Sequence, residues 1–74
     1  MTNYDKSFDT QNFHVEVSAQ ALYGWFEHND LGDECGGGLW FEGNKLIDYD
    51  GVFELPKEVA DVLAINGYDV EEMR

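Results

Sequence analysis

The chain has 74 residues and a mass of 8.5 kDa, enough for one domain with a small core, and 16 Asp and Glu against 4 Lys and Arg leave a formal charge of −12. A field of that sign repels phosphate, which excludes direct nucleic-acid binding and draws in basic partners from a distance. An aromatic content of 15% excludes a disordered acidic tail, and no apolar run approaches the ~18 residues of a membrane span.

Residues 1–10 read as a polar, poorly ordered start with no basic n-region or apolar h-region, and residues 11–74 as a single domain. Cys35 has no second cysteine to pair with, so a soluble protein of a reducing cytoplasm is expected. "NFHVEVS" alternates, with Phe13, Val15 and Val17 on one side and His14, Glu16 and Ser18 on the other; that pattern predicts a half-buried strand. Ser18 then suits an N-cap, and Ala19, Leu22, Trp25 and Phe26 fall at helical spacing, which predicts a helix through "AQALYGWFEHN". Gly24 inside it costs about 1 kcal/mol relative to Ala. "DLGDECGGG" breaks all periodicity and reads as a flexible loop.

"LWFEGNKLIDYD" reads as a hairpin turning at Gly43-Asn44. A two-residue turn pairs Glu42 with Lys45, Phe41 with Leu46 and Trp40 with Ile47. Leu39, Phe41 and Leu46 then share the core face, while Trp40, Ile47 and Tyr49 lie opposite. A three-residue turn would reverse part of that assignment. Asp50-Gly51 makes a further turn. "LPKEVADVLAINGY" is the clearest helix, with Pro56 at its first position, Val59, Val62 and Leu63 as its buried stripe and Asn66-Gly67 as its stop. "YDVEE" offers a short last strand. The predicted fold class is α+β: a small antiparallel sheet of three to four strands with two helices packed on one face, in the order β-α-β-β-α(-β).

Chemistry finds little support in these motifs. Leu39 and Trp40 follow the glycine run where a phosphate loop needs Lys and Ser or Thr, and Asp30, Asp33 and Glu34 would repel the anion. Two carboxylates precede Cys35 and oppose a reactive thiolate. One Cys and two His lack zinc-site spacing, and "NDLGDE" lacks the alternating oxygens of a calcium loop. No catalytic residue, cofactor or metal is expected.

Binding finds more. An apolar centre of Trp40, Ile47 and Tyr49, sharing its face with His14, Glu16, Glu42 and Lys45 and rimmed by carboxylates, has the composition of a protein-binding patch, unless the last strand or N-terminal segment covers that face or two copies pair through it. Carboxylates two apart on a strand, Asp48 and Asp50, lie about 6.7 Å apart along the chain. Duplex DNA carries about 17 charges over the ~29 Å width of such a globule, a density of the same order as this chain's. The charge serves either as phosphate mimicry or as adaptation to salt and solubility.

A small, strongly acidic single domain without enzyme motifs resembles the anti-CRISPR and anti-restriction inhibitors of bacteriophages and mobile elements. The stretch "LWFEGNKLIDYDGVFELPKEVADVLAINGYDVEE", Leu39–Glu72, is similar to small phage-type reading frames. Those inhibitors share no common motif, so no residue role transfers by position. The resemblance implies a stoichiometric inhibitor, not an enzyme. It would act in the bacterial host's cytoplasm, as a monomer or weak homodimer, by filling the basic channel where a Cascade-type CRISPR surveillance complex receives target DNA. The expected contact residues are Glu27, Asp30, Asp33, Glu34, Trp40, Glu42, Asp48, Tyr49, Asp50, Glu54, Glu58 and Asp61. The alternatives are an immunity or antitoxin protein plugging a basic nuclease, an anti-restriction DNA mimic, and an enzyme with Cys35 as nucleophile and a histidine as base.

Overall fold

The structure, a computed structural model, describes residues 6–20 and 22–74 and, of Asp33, the backbone alone. Five strands, β1 (Lys6–Asp9), β2 (Phe13–Val17), β3 (Tyr23–His28), β4 (Gly32–Glu42) and β5 (Lys45–Tyr49), precede one helix, α1 (Lys57–Ile65). The strands lie in chain order, β1-β2-β3-β4-β5, each antiparallel to its neighbours. The extents, 29 × 29 × 20 Å, are those of one sheet with one covering layer.

This corrects the expected two-helix architecture: the described residues hold five strands and a single helix. The expected first helix is β3. Its aromatics favour extended backbone, and the working pattern is two-residue alternation, with Gly24 and Phe26 buried while Tyr23 and Trp25 face outward. A Cβ on Gly24 would run into the Glu16 carbonyl oxygen on β2, so glycine permits this close strand pairing. Ser18 performs cap chemistry, but on a turn: its Oγ accepts the Leu22 N–H at 3.1 Å and the Tyr23 N–H at 3.4 Å.

The expected glycine loop is also strand. β4 runs 11 residues from Gly32 to Glu42. Opposite Phe26–His28 its register slips, so that Gly37 faces Phe26 while Gly32 faces His28. Gly37 lies against the Asp50–Gly51 backbone, where no Cβ fits, and Gly51 meets it at φ +84°. The Asp50 N–H donates to the Gly38 carbonyl at 3.1 Å, and the Gly38 N–H donates to Asp50 Oδ1 at 2.7 Å. The run is an ordered dock for the chain beyond β5.

The two-residue hairpin turn at Gly43-Asn44 holds, pairing Glu42 with Lys45 and Phe41 with Leu46. One step on, a bulge at Ile47 pairs Trp40 with Asp48 and Leu39 with Tyr49. Tyr49 therefore moves to the core side, correcting its expected place beside Trp40. Residues 6–9 of the expected polar start form β1; residues 1–5 lie outside the described residues.

The core-side face carries Phe13, Val15, Val17, Phe26, Leu39, Phe41 and Leu46, all buried. α1 covers it with Val59, Ala60 and Leu63, and the following segment adds Tyr68 and Val70. Pro56 stands at the N-cap, one residue ahead of its expected place, and Asn66 with Gly67 at φ +94° ends the helix. In place of a last strand, a single parallel bridge joins Asp69 to Lys45 at the β5 edge.

Candidate functional site

The sheet's other face is where the acids and aromatics gather, and its rows follow from register. One row holds Asp9, His14 and Glu27. The next runs Ser7, Glu16, Trp25 and Gly38 and reaches Asp50 through the Gly38 bond. A third holds Tyr23, Trp40 and Asp48. Paired positions lie about 4.5–5.5 Å apart, so the aromatic middle and its carboxylates form one continuous surface.

Gly38 makes room at its centre. A Cβ there would sit 2.8 Å from Trp40 Cη2, so the Trp40 indole lies across the glycine. Trp40 remains 42% exposed, with Tyr23 and Ile47 exposed beside it.

His14 is the one cationisable side chain in these rows. Its Nδ1 lies 2.7 Å from Asp9 Oδ1 and its Nε2 2.7 Å from Glu16 Oε2, with its ring centroid 5.4 Å from that of Trp25. Only the protonated imidazole donates from both nitrogens. The carboxylate of Glu16 first and that of Asp9 second stabilise this form and raise the His14 pKa above its usual value.

Each Lys and Arg has its partner outside these three rows. Lys57 Nζ and Arg74 Nη2 pair with Asp61 at 2.8 and 3.0 Å, on the helix side. Lys45 reaches Glu72 at 2.9 Å, and Lys6 lies over the Tyr68 ring at 5.7 Å. The charges are thus largely segregated: carboxylates and one histidine fill the open face, Lys45 stands at its edge opposite Glu42 and reaches Glu72, and the other cations lie on the helix side and at the β1 edge.

The expected contact residues divide accordingly. Glu27, Trp40, Glu42, Asp48 and Asp50 lie on the open face, although Asp48 Oδ1 accepts the Tyr49 N–H at 2.9 Å and Asp50 holds Gly38. Asp30 and Glu34 are exposed around the β3–β4 turn, Asp33 lies in β4, and Glu54 lies exposed before α1. Glu58 and Asp61 are committed to the fold. The Asn12 N–H and Nδ2 donate to Glu58 at 3.1 and 2.7 Å, and this bonding, chiefly from the Asn12 side chain, lowers the Glu58 pKa. Lys57 first, then Arg74, lowers that of Asp61. Asp9 and Trp25 complete the site without having been expected in it, and His14 and Glu16, expected on this face but not as contact residues, join them. Trp25 was hidden by the helical reading, and the two-residue alternation of Tyr23 to Phe26 was the signal that could have found it.

Cys35 sits half-buried in the irregular part of β4. Both nitrogens of His14 are engaged with carboxylates, and His28 Nδ1 accepts the N–H groups of Asp30 and Leu31 at 3.1 and 3.2 Å. Among the described residues no group of three or more His, Cys, Asp and Glu is arranged to hold a metal ion, and no helix is long and apolar enough to cross a membrane. Set against models of known families, characterised proteins and solved structures, the chain matches none of them.

Proposed function

We propose that this protein is a stoichiometric inhibitor that lays its open sheet face on the basic nucleic-acid-binding surface of a partner, in the manner of an anti-CRISPR protein filling the DNA channel of a Cascade-type complex. The segregation of charge carries this reading. Asp9, Glu16, Glu27, Glu42, Asp48 and Asp50 share a face whose one Lys or Arg is Lys45 at its edge, already paired with Glu72, while Asp61 is neutralised on the helix side. Lysines and arginines that normally meet phosphates would be steered to this face. Trp40 and its aromatic neighbours would supply the desolvated anchor that lengthens the complex's life.

The test is competition between this protein and duplex DNA for a Cascade-type complex, measured across a salt series. Glu27→Lys combined with Asp48→Lys should weaken binding by at least tenfold, whereas Asp61→Asn, a charge change on the helix side, should leave it within about twofold. Wild-type binding should weaken steeply as salt rises. Equal losses from the two faces, or affinity insensitive to salt, would overturn the reading.

A further inference from the structure

The loop between β5 and α1 exposes Phe53 almost completely, at 96%, although its neighbours Val52 and Leu55 pack against the core. Beside it lies a cleft of about 220 Å³ lined by Leu55, Lys57, Ala60, Asp61 and Arg74. A cavity of roughly 150 Å³ accommodates a benzene ring, so the cleft has room for one phenyl side chain. Its floor is apolar, and its rim holds two of the chain's four cations against a single carboxylate, a local excess of positive charge on a molecule of net charge −12. A separate neighbouring hollow shares Leu55 and Arg74 with the cleft and is lined by Glu54 as well, so the positive excess belongs to the cleft alone.

We propose that this cleft receives Phe53 of a second copy of the chain, each molecule inserting its loop into the other's cleft. The loop presents an aromatic plug beside the carboxylate of Glu54, and the socket presents an apolar floor beside Lys57 and Arg74. Plug and socket match in both shape and charge. They also lie side by side, since Phe53 is two residues from Leu55 and two residues span at most about 7 Å. A two-fold axis between plug and socket closes both contacts at once, which is the condition for a self-limiting dimer. The pairing uses the helix side, so both open sheet faces stay uncovered, and it does not depend on the function proposed for them.

Like charge opposes the dimer, which gives its test an unusual sign. Sedimentation velocity from about 10 μM to about 1 mM should show a monomer–dimer equilibrium that tightens as salt rises from about 0.05 to about 0.5 M, opposite to a complex with a basic partner. Phe53→Ala should weaken association about a hundredfold, because both copies lose their plug. Its exposed position leaves the fold intact, which circular dichroism checks. Glu54→Lys lowers the mutual repulsion and would tighten a dimer formed elsewhere; here it should weaken association, because the cationic rim loses its carboxylate. A monomer across the whole range, a dimer indifferent to Phe53→Ala, or one lost with Trp40→Ala instead would each overturn the proposal.

Discussion

His14 is the residue through which the open face senses pH. Its imidazole spans Asp9 and Glu16 with both nitrogens at 2.7 Å, and Glu27 stands opposite on β3. Once the ring is neutral, one nitrogen turns a lone pair towards a carboxylate, so the bridge exists in full only while His14 is protonated. A group whose folded pKa is raised stabilises the fold fully below its unfolded value of about 6.5 and loses that contribution as pH rises through the folded value. His14→Gln should therefore destabilise the protein more at pH about 5.5 than at about pH 9. Imidazole NMR titration gives the complementary check: Glu16→Gln should lower the His14 pKa more than Asp9→Asn does, since Glu16 contributes most to the shift. An unchanged pKa in both variants would mean that the bridge does not persist in solution.

At the scale of elements, β4 owes its form to glycines that give their neighbours room. Gly37→Ala drives a Cβ into the Asp50–Gly51 backbone and should cost about 3 kcal/mol or more, measured by urea denaturation. Gly38→Ala meets the edge of the Trp40 indole and the Asp50 carboxylate, side chains that can swing away, so it should shift the tryptophan fluorescence while costing less. Equal costs at the two positions would contradict this division. These glycines also explain why the sequence was only partly legible. The alternation in β2, the Gly43-Asn44 turn and α1 are local signals, and the structure follows them. In "DLGDECGGG" Gly36 and Gly37 answer to other chain segments, Phe26–Glu27 and Asp50–Gly51, so nothing local marks a strand. "AQALYGWFEHN" carries two periodicities at once, and its pairing with β2 and β4 selects the extended one. The open face was legible wherever alternation held. It failed at Tyr49, where the bulge at Ile47 shifts the register by one residue.

For the molecule as a whole, a net charge of −12 on 10.9 Å of gyration radius makes self-repulsion a standing cost of compactness. The ion pairs at Asp61 and Glu72 are exposed and offset little of it. Three effects set the pH of greatest stability. Falling pH reduces the repulsion as the chain nears its pI of about 4.1, and it completes the His14 bridge. Against these stand Glu58 and Asp61, whose depressed pKa values mean that their contributions are present above the ordinary values of 4.5 and 3.8 and are lost as pH falls through the lower folded ones. The first two effects act before the third begins, so the midpoint of thermal unfolding should peak on the acid side of neutrality, near pH 5. At pH about 7.5, raising sodium chloride from about 0.05 to about 0.5 M should increase the midpoint, and by more than the same change does at pH 5, because more charge remains to be screened. The size of this response also bears on function. A fold already stable at the lower salt has its acids available for a basic partner, whereas one that forms only in molar salt carries them as an adaptation to brine. A midpoint that falls with salt at pH 7.5 would show that attraction between charges, rather than repulsion, governs this molecule.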